Sequence, residues 1–201
     1  MQRFTSVGFL VAGGTALLAA TVYADTFHIV PGTPNLVRFE SKAPLETFDG
    51  KSREVEGHVR LDPNAIEDWI EVQIEVDLAS FDTGIAIRNR HMRENHLETD
   101  RYPRAVFKGG RVHEASGSRL RLGETLQFEI EGVLSLHGVD KPLRAPVTLT
   151  HEVVDGVAQL RVAAAFQVKL SDHQIKRPKF LVMKLDEVQR INVELIAKAG
   201  E

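Results

Sequence analysis

The chain contains no cysteine among its 201 residues. It therefore has no disulfide framework, and the packing of apolar side chains must provide its stability. The same absence excludes a thiolate nucleophile and every metal site that depends on cysteine ligands.

The common catalytic patterns are missing as well. The sequence has no G-x-S-x-G elbow, no phosphate-binding glycine-rich loop, no H-E-x-x-H and no EF-hand loop. His-Glu pairs stand at 113–114 and 151–152, but each lacks the second histidine. On a helix, His91 and His96 would point roughly 140° apart and would not hold one ion together. We therefore predict no catalytic residues, no metal site and no enzymatic activity.

A large excess of charge is also absent. The chain has 25 basic and 28 acidic residues, a formal net charge of −3. This balance gives no general attraction to nucleic acid, and we predict no nucleic-acid partner. Basic residues do cluster in 88–93 and 176–184. They are either solvated surface or a positive rim that meets an anionic headgroup or a partner.

The one long apolar run lies at the N-terminus. Arg3 precedes the apolar residues 7–20, and Val22-Tyr23-Ala24 follows with residues that suit a signal peptidase. The run is short for a membrane span of about 20 residues. We predict a signal peptide over residues 1–24, a single exported domain over 25–201, and no stable membrane insertion after cleavage.

Alternation of apolar and polar residues dominates the rest of the chain. Between Ile70 and Leu78 every second residue is aliphatic, and the residues between them are acidic or amide. This pattern is typical of a strand with one buried and one solvated face. It recurs in 126–136, 158–170 and 191–195, with Gly- and Pro-containing turns between segments. About eight such strands predict an all-β fold, an antiparallel barrel or a sandwich.

Two segments break the alternation. Residues 84–98 are rich in helix formers and predict a short helix over one end of the barrel, with Asp82-Thr83 as a cap. Residues 171–184 are interrupted by Pro178 and read as irregular.

The interior of an eight-stranded barrel is either filled by side chains or wide enough for one ligand. Alternation does not separate these cases, but long strands and the small inward residues Gly132, Ala158 and Ala164 favour a cavity. We predict that its mouth carries Arg88 and His91. The predicted lining residues are Phe39, Ile74, Val76, Phe128, Ile130, Leu134, Val162 and Phe166.

Several motifs occur in an order similar to that of one known family. They are Phe48-Asp49-Gly50, the run 78–84 (LASFDTG), Arg88 with His91-Met92-Arg93, Tyr102-Pro103 with Phe107, and the run 136–143 (LHGVDKPL). With these motifs the chain resembles the YceI family of polyisoprenoid-binding proteins. The resemblance implies a single lipocalin-like antiparallel barrel, export to the periplasm, and an isoprenoid or quinone-like lipid as ligand, with no other cofactor.

Three functional hypotheses follow, in decreasing order of preference. The first is a periplasmic carrier or reservoir for a lipid-like small molecule. The second is a structural or accessory protein with a filled barrel that acts through its surface. The third is an enzyme that acts on an apolar substrate inside the barrel. The sequence does not determine the number of subunits, and a homodimer is one assembly that it allows.

Overall fold

The computed structural model describes residues 24–42, 47–66, 70–177, 179–180 and 183–200, so nearly all of the predicted signal peptide lies outside the described residues. Strands dominate the described chain. They are β1 (Asp25–Ile29), β2 (Leu36–Lys42), β3 (Thr47–Ser52), β4 (Val55–Leu61), β5 (Ile70–Asp77), β6 (Arg104–His113), β7 (Thr125–Leu136), β8 (Val139–Val154), β9 (Val157–Lys169), β10 (Lys179–Phe180), β11 (Met183–Lys184) and β12 (Val188–Ala199).

Eight of the strands close into an antiparallel barrel. Their order is β1-β4-β5-β6-β7-β8-β9-β12, and β1 pairs back with β12. Strands β2 and β3 extend the barrel wall. Strand β2 pairs with β12, which also pairs with β1, and β3 pairs with β2. The pair β2–β3 thus lies alongside the pair β1–β4. The predicted all-β barrel of about eight strands is confirmed.

The break between β1 and β2 is bridged by one buried side chain. Asn35 is 2% exposed. Its Nδ2 donates to the Val30 carbonyl at 2.7 Å, and its Oδ1 accepts from the Ile196 N–H of β12 at 2.8 Å. Two backbone groups that lack a strand partner at the break are thereby satisfied, as buried backbone polar groups must be.

One end of the barrel is filled by buried side chains, and we call it the closed end. The loops that join β4 to β5 and β6 to β7 meet there, where the Ile66 N–H donates to the Ser118 carbonyl and the Leu120 N–H to the Pro63 carbonyl. Ile66 and Leu120 are almost completely buried by this arrangement. The other fully buried large side chains of this region are Phe27, Leu61, Ile70, Leu160 and Leu195.

The opposite end, the helix end, carries the connection from β5 to β6. The helix α1 (Ala86–His91) runs directly into a π-helical turn, Met92–Leu97. The predicted helix over 84–98 is therefore present. A 3-10 turn, Leu170–His173, and the short β10–β11 hairpin lie in the segment predicted to be irregular.

Candidate ligand-binding cavity

A cavity of about 750 Å³ lies inside the barrel, within the range of ~300–1,000 Å³ typical of small-molecule sites. Its wall comes from the inward side chains of the strands and from α1 and the π-helical turn. Most of the lining is aliphatic or aromatic. The polar side chains of the lining are Ser41, Arg88, His91, His96 and Gln189.

The structure brings all the predicted site residues to this cavity. The eight predicted interior residues line its wall, and the two predicted mouth residues, Arg88 and His91, line it from α1. Their part in binding a ligand stays a prediction. The helix half of the barrel interior is open, whereas the closed end is packed as the filled-barrel alternative requires.

The reasoning from small inward residues was right for only one of the three. Ala164 lines the cavity, but Ala158 packs against the buried core. Gly132 lies opposite Gly109 on β6, and a Cβ at Gly132 would stand 2.7 Å from Cζ of Phe107. The ring of Phe107 therefore occupies the space that the glycine leaves. A glycine in a strand can mark such a close approach as well as an opening.

The wall formed by β3, β2, β12 and β9 is layered. In the layer nearest the helix end, Ser41 of β2 pairs with Phe48 of β3. The next layer holds Phe39, Ile191 and Phe166, which follow one another across β2, β12 and β9. All five residues line the cavity. Three aromatic rings and Ile191 thus line this side of the cavity below the mouth.

Arg88 is fixed at the mouth by several contacts. Its guanidinium lies 4.0 Å from the centroid of the Phe48 ring, a cation–π geometry. Its Nε donates to Thr83 Oγ1 at 3.0 Å and its Nη2 to the Thr83 carbonyl at 2.9 Å. Asn89 binds back to Thr83 and Asp82, and its side-chain hydrogen bond holds the pKa of the Asp82 carboxyl below the usual value. The predicted cap at Asp82-Thr83 is therefore wrong, because α1 begins after Ile85 without a side-chain cap, and the two residues hold the helix through Asn89 instead.

His96 closes the mouth from the π-helical turn. Its Nδ1 lies 2.9 Å from the Lys176 carbonyl. Desolvation lowers the pKa of His96 below its ordinary 6.5, although the hydrogen bond to Lys176 opposes the shift. Among the described residues, no group of three or more His, Asp or Glu side chains comes together as a metal site would require.

Sequence reasoning missed the polar part of the wall. Ser41 and Gln189 stand at inward positions of β2 and β12, but they fall in segments whose alternation is short or weak. The pairing of β2 with β12 was the missing information, because it brings the two strand ends that carry these residues to the same cavity.

Comparison with known proteins identifies the family. A family model for the YceI-like domain matches residues 30–197. The chain belongs to the YceI-like family. One relative of this YceI-like chain is the UPF0312 protein plu2095 of Photorhabdus laumondii, 28% identical over 182 residues, which cover 88% of each protein.

Solved structures share the fold of this YceI-like protein. A polyisoprenoid binding domain from Saccharophagus degradans, implicated in plant cell wall breakdown, superposes with a TM-score of 0.66 at 17% identity over 86% of this chain and 98% of that one. BcnA of Burkholderia cenocepacia gives a TM-score of 0.64 at 19% identity, over 81% and 96%. In the part of the YceI-like chain that the structure describes, no helix is long and apolar enough to span a bilayer.

Proposed function

We propose that this protein is a periplasmic carrier or reservoir that holds an isoprenoid, or another long amphipathic lipid, inside its barrel. The observation that carries the proposal is the cavity, whose wall is almost wholly apolar and whose far end is closed by Ile66 and Leu120. A hydrocarbon chain would lose its contact with water along its whole length in such a space. The polyisoprenoid-binding domain of Saccharophagus degradans, which has the same fold, supports this ligand class.

The proposed role is binding rather than catalysis. Among the described residues of the wall, the ionisable side chains are Arg88, His91 and His96, and none is a carboxylate. An apolar wall with so few ionisable groups can bury a ligand, but it provides few groups for acid–base catalysis. Homodimerisation stays a prediction, which analytical ultracentrifugation of delipidated and lipid-loaded protein tests.

Affinity should depend on chain length. We expect the affinity of the delipidated protein for primary alcohols to rise about fourfold for each added methylene, since burying one contributes ~0.8 kcal/mol. The rise should stop once the cavity is full. Titration with a homologous series, followed by fluorescence displacement, measures it. Uptake of no alcohol would favour the filled-barrel protein that acts through its surface.

Export is proposed from the N-terminal sequence. We expect the mature protein to begin at Asp25, because the basic residue, apolar run and Val22-Tyr23-Ala24 have the order of a cleaved signal peptide. N-terminal sequencing of the protein from a periplasmic extract measures this. Recovery of the protein with Met1 intact in the membrane fraction would contradict it.

A further inference from the structure

One hydroxyl of the cavity wall has no hydrogen-bond partner among the residues that the structure describes. Ser41 lies on the inward face of β2 with Val37 and Phe39, and its side chain is completely buried. Its Oγ forms no hydrogen bond with any described residue. A buried hydroxyl without a partner destabilises a fold, so buried polar groups are nearly always paired. Ser41 is an exception that the packing of the protein itself does not explain.

A second uncharged polar group stands beside it. Arg190 of β12 pairs with Glu40 of β2, so Gln189 and Ser41 are the next residues beyond this pair on the two neighbouring strands. Gln189 is 7% exposed and lines the cavity. Its Nε2 donates to the Asp186 carbonyl at 2.7 Å, while its Oε1 accepts no hydrogen bond from a described residue. Ser41 and Gln189 thus both line the cavity from neighbouring strands, directly beyond the same strand pair.

We propose that Ser41 and Gln189 form a headgroup site for an uncharged hydrogen-bonding group, such as the hydroxyl of a long-chain alcohol. This inference rests on the proposed function, because it assigns the polar end of the lipid in the cavity. The hydroxyl of Ser41 can donate and accept, and the amide of Gln189 adds a free acceptor. The ligand's chain then runs past Phe39 and Val193 towards the closed end.

The chemistry of the site favours a neutral headgroup over a carboxylate. Neither Ser41 nor Gln189 carries charge, and the guanidinium of Arg88 is already bound to Thr83 and stacked on Phe48. Desolvation of His96 disfavours its charged form. A carboxylate at Ser41 would lose its hydration without a dedicated cation, and burial of an unpaired charge is far more costly than burial of a hydroxyl.

Three probes of equal chain length test the site on the delipidated mature protein: dodecanol, dodecanoate and dodecane. We expect dodecanol to bind most tightly. Ser41→Ala should weaken dodecanol binding roughly five- to tenfold, as loss of one neutral hydrogen bond does, and leave dodecane binding unchanged. Gln189→Met should act in the same direction. Ser135→Ala, on the outer face of β7, is the matched control and should change no affinity.

The outcomes separate this inference from the proposed function. Binding of all three probes with equal affinity, or tighter binding of dodecanoate than of dodecanol, would contradict the headgroup site but would remain consistent with the proposed carrier function. Failure of every probe to bind overturns both. The thermal midpoint of delipidated Ser41→Ala should be no lower than that of the parent, because the removed hydroxyl has no hydrogen-bond partner in the described part of the chain. A lower midpoint together with equal losses for all probes would make Ser41 structural and refute the site.

Discussion

Replacing Ala164 with phenylalanine is expected to weaken the binding of a long-chain alcohol roughly two-hundredfold, with little change in the free energy of unfolding of the delipidated protein. The added ring would take the place of about four methylene groups of the ligand, and each contributes ~0.8 kcal/mol when buried. Ala164 lines the cavity, between Val147 of β8 and Val193 of β12. The ring would therefore enter open space instead of packed side chains.

The neighbours of Ala164 are its matched controls. Ala163 and Ala165 have exposed side chains on the outer face of the same strand. Ala163→Phe and Ala165→Phe make the same chemical change one residue away, and we expect both to bind the alcohol as the parent does. Titration gives the affinities and urea unfolding gives the stabilities. A loss of ~1–3 kcal/mol in the stability of Ala164→Phe, typical of overpacking, would show instead that the site is filled core.

The barrel wall was predictable because alternation is a local property. Each residue two positions along a strand returns to the same face, so Phe128 and Ile130 were assigned to the interior without knowledge of their neighbours. The same local rule predicted the helix, since residues 84–98 lack alternation. The motifs at 78–84 and 136–143 added the family and, through it, the closure of the sheet.

The features that depend on distant parts of the chain were not predictable. Asn35 is buried because it fills a gap beside Ile196, which is 161 residues further along the chain. Ile66 and Leu120 close one end because two loops meet, and neither loop shows a periodic pattern. Gly132 suggested free space in the barrel interior, but the ring of Phe107 occupies that space, and the contact between the two residues is not visible in the sequence. Ser41 and Gln189 likewise line one cavity only because β2 pairs with β12, far away in the sequence.

The closed end and the helix end should respond differently to the loss of a leucine side chain. Leu160 is completely buried and lies outside the cavity lining. Leu160→Ala is expected to lower the free energy of unfolding by about 2–5 kcal/mol, because it removes apolar contacts and leaves a void among packed neighbours. For a domain of this size each kcal/mol shifts the thermal midpoint by roughly 2–4 °C.

Leu143→Ala is the matched comparison at the other end. Leu143 lies on β8, is only half-buried and lines the cavity, so its truncation enlarges an existing space. We expect it to lower the midpoint of the delipidated protein by less than half as much as Leu160→Ala does. The alcohol affinity of Leu160→Ala should match that of the parent at temperatures where the variant is folded. Equal destabilisation by the two variants would mean that the helix half is packed as tightly as the closed end, which is incompatible with a lipid-sized cavity. Together with Ala164→Phe, these two variants test whether the closed end determines stability and the helix half determines the proposed binding.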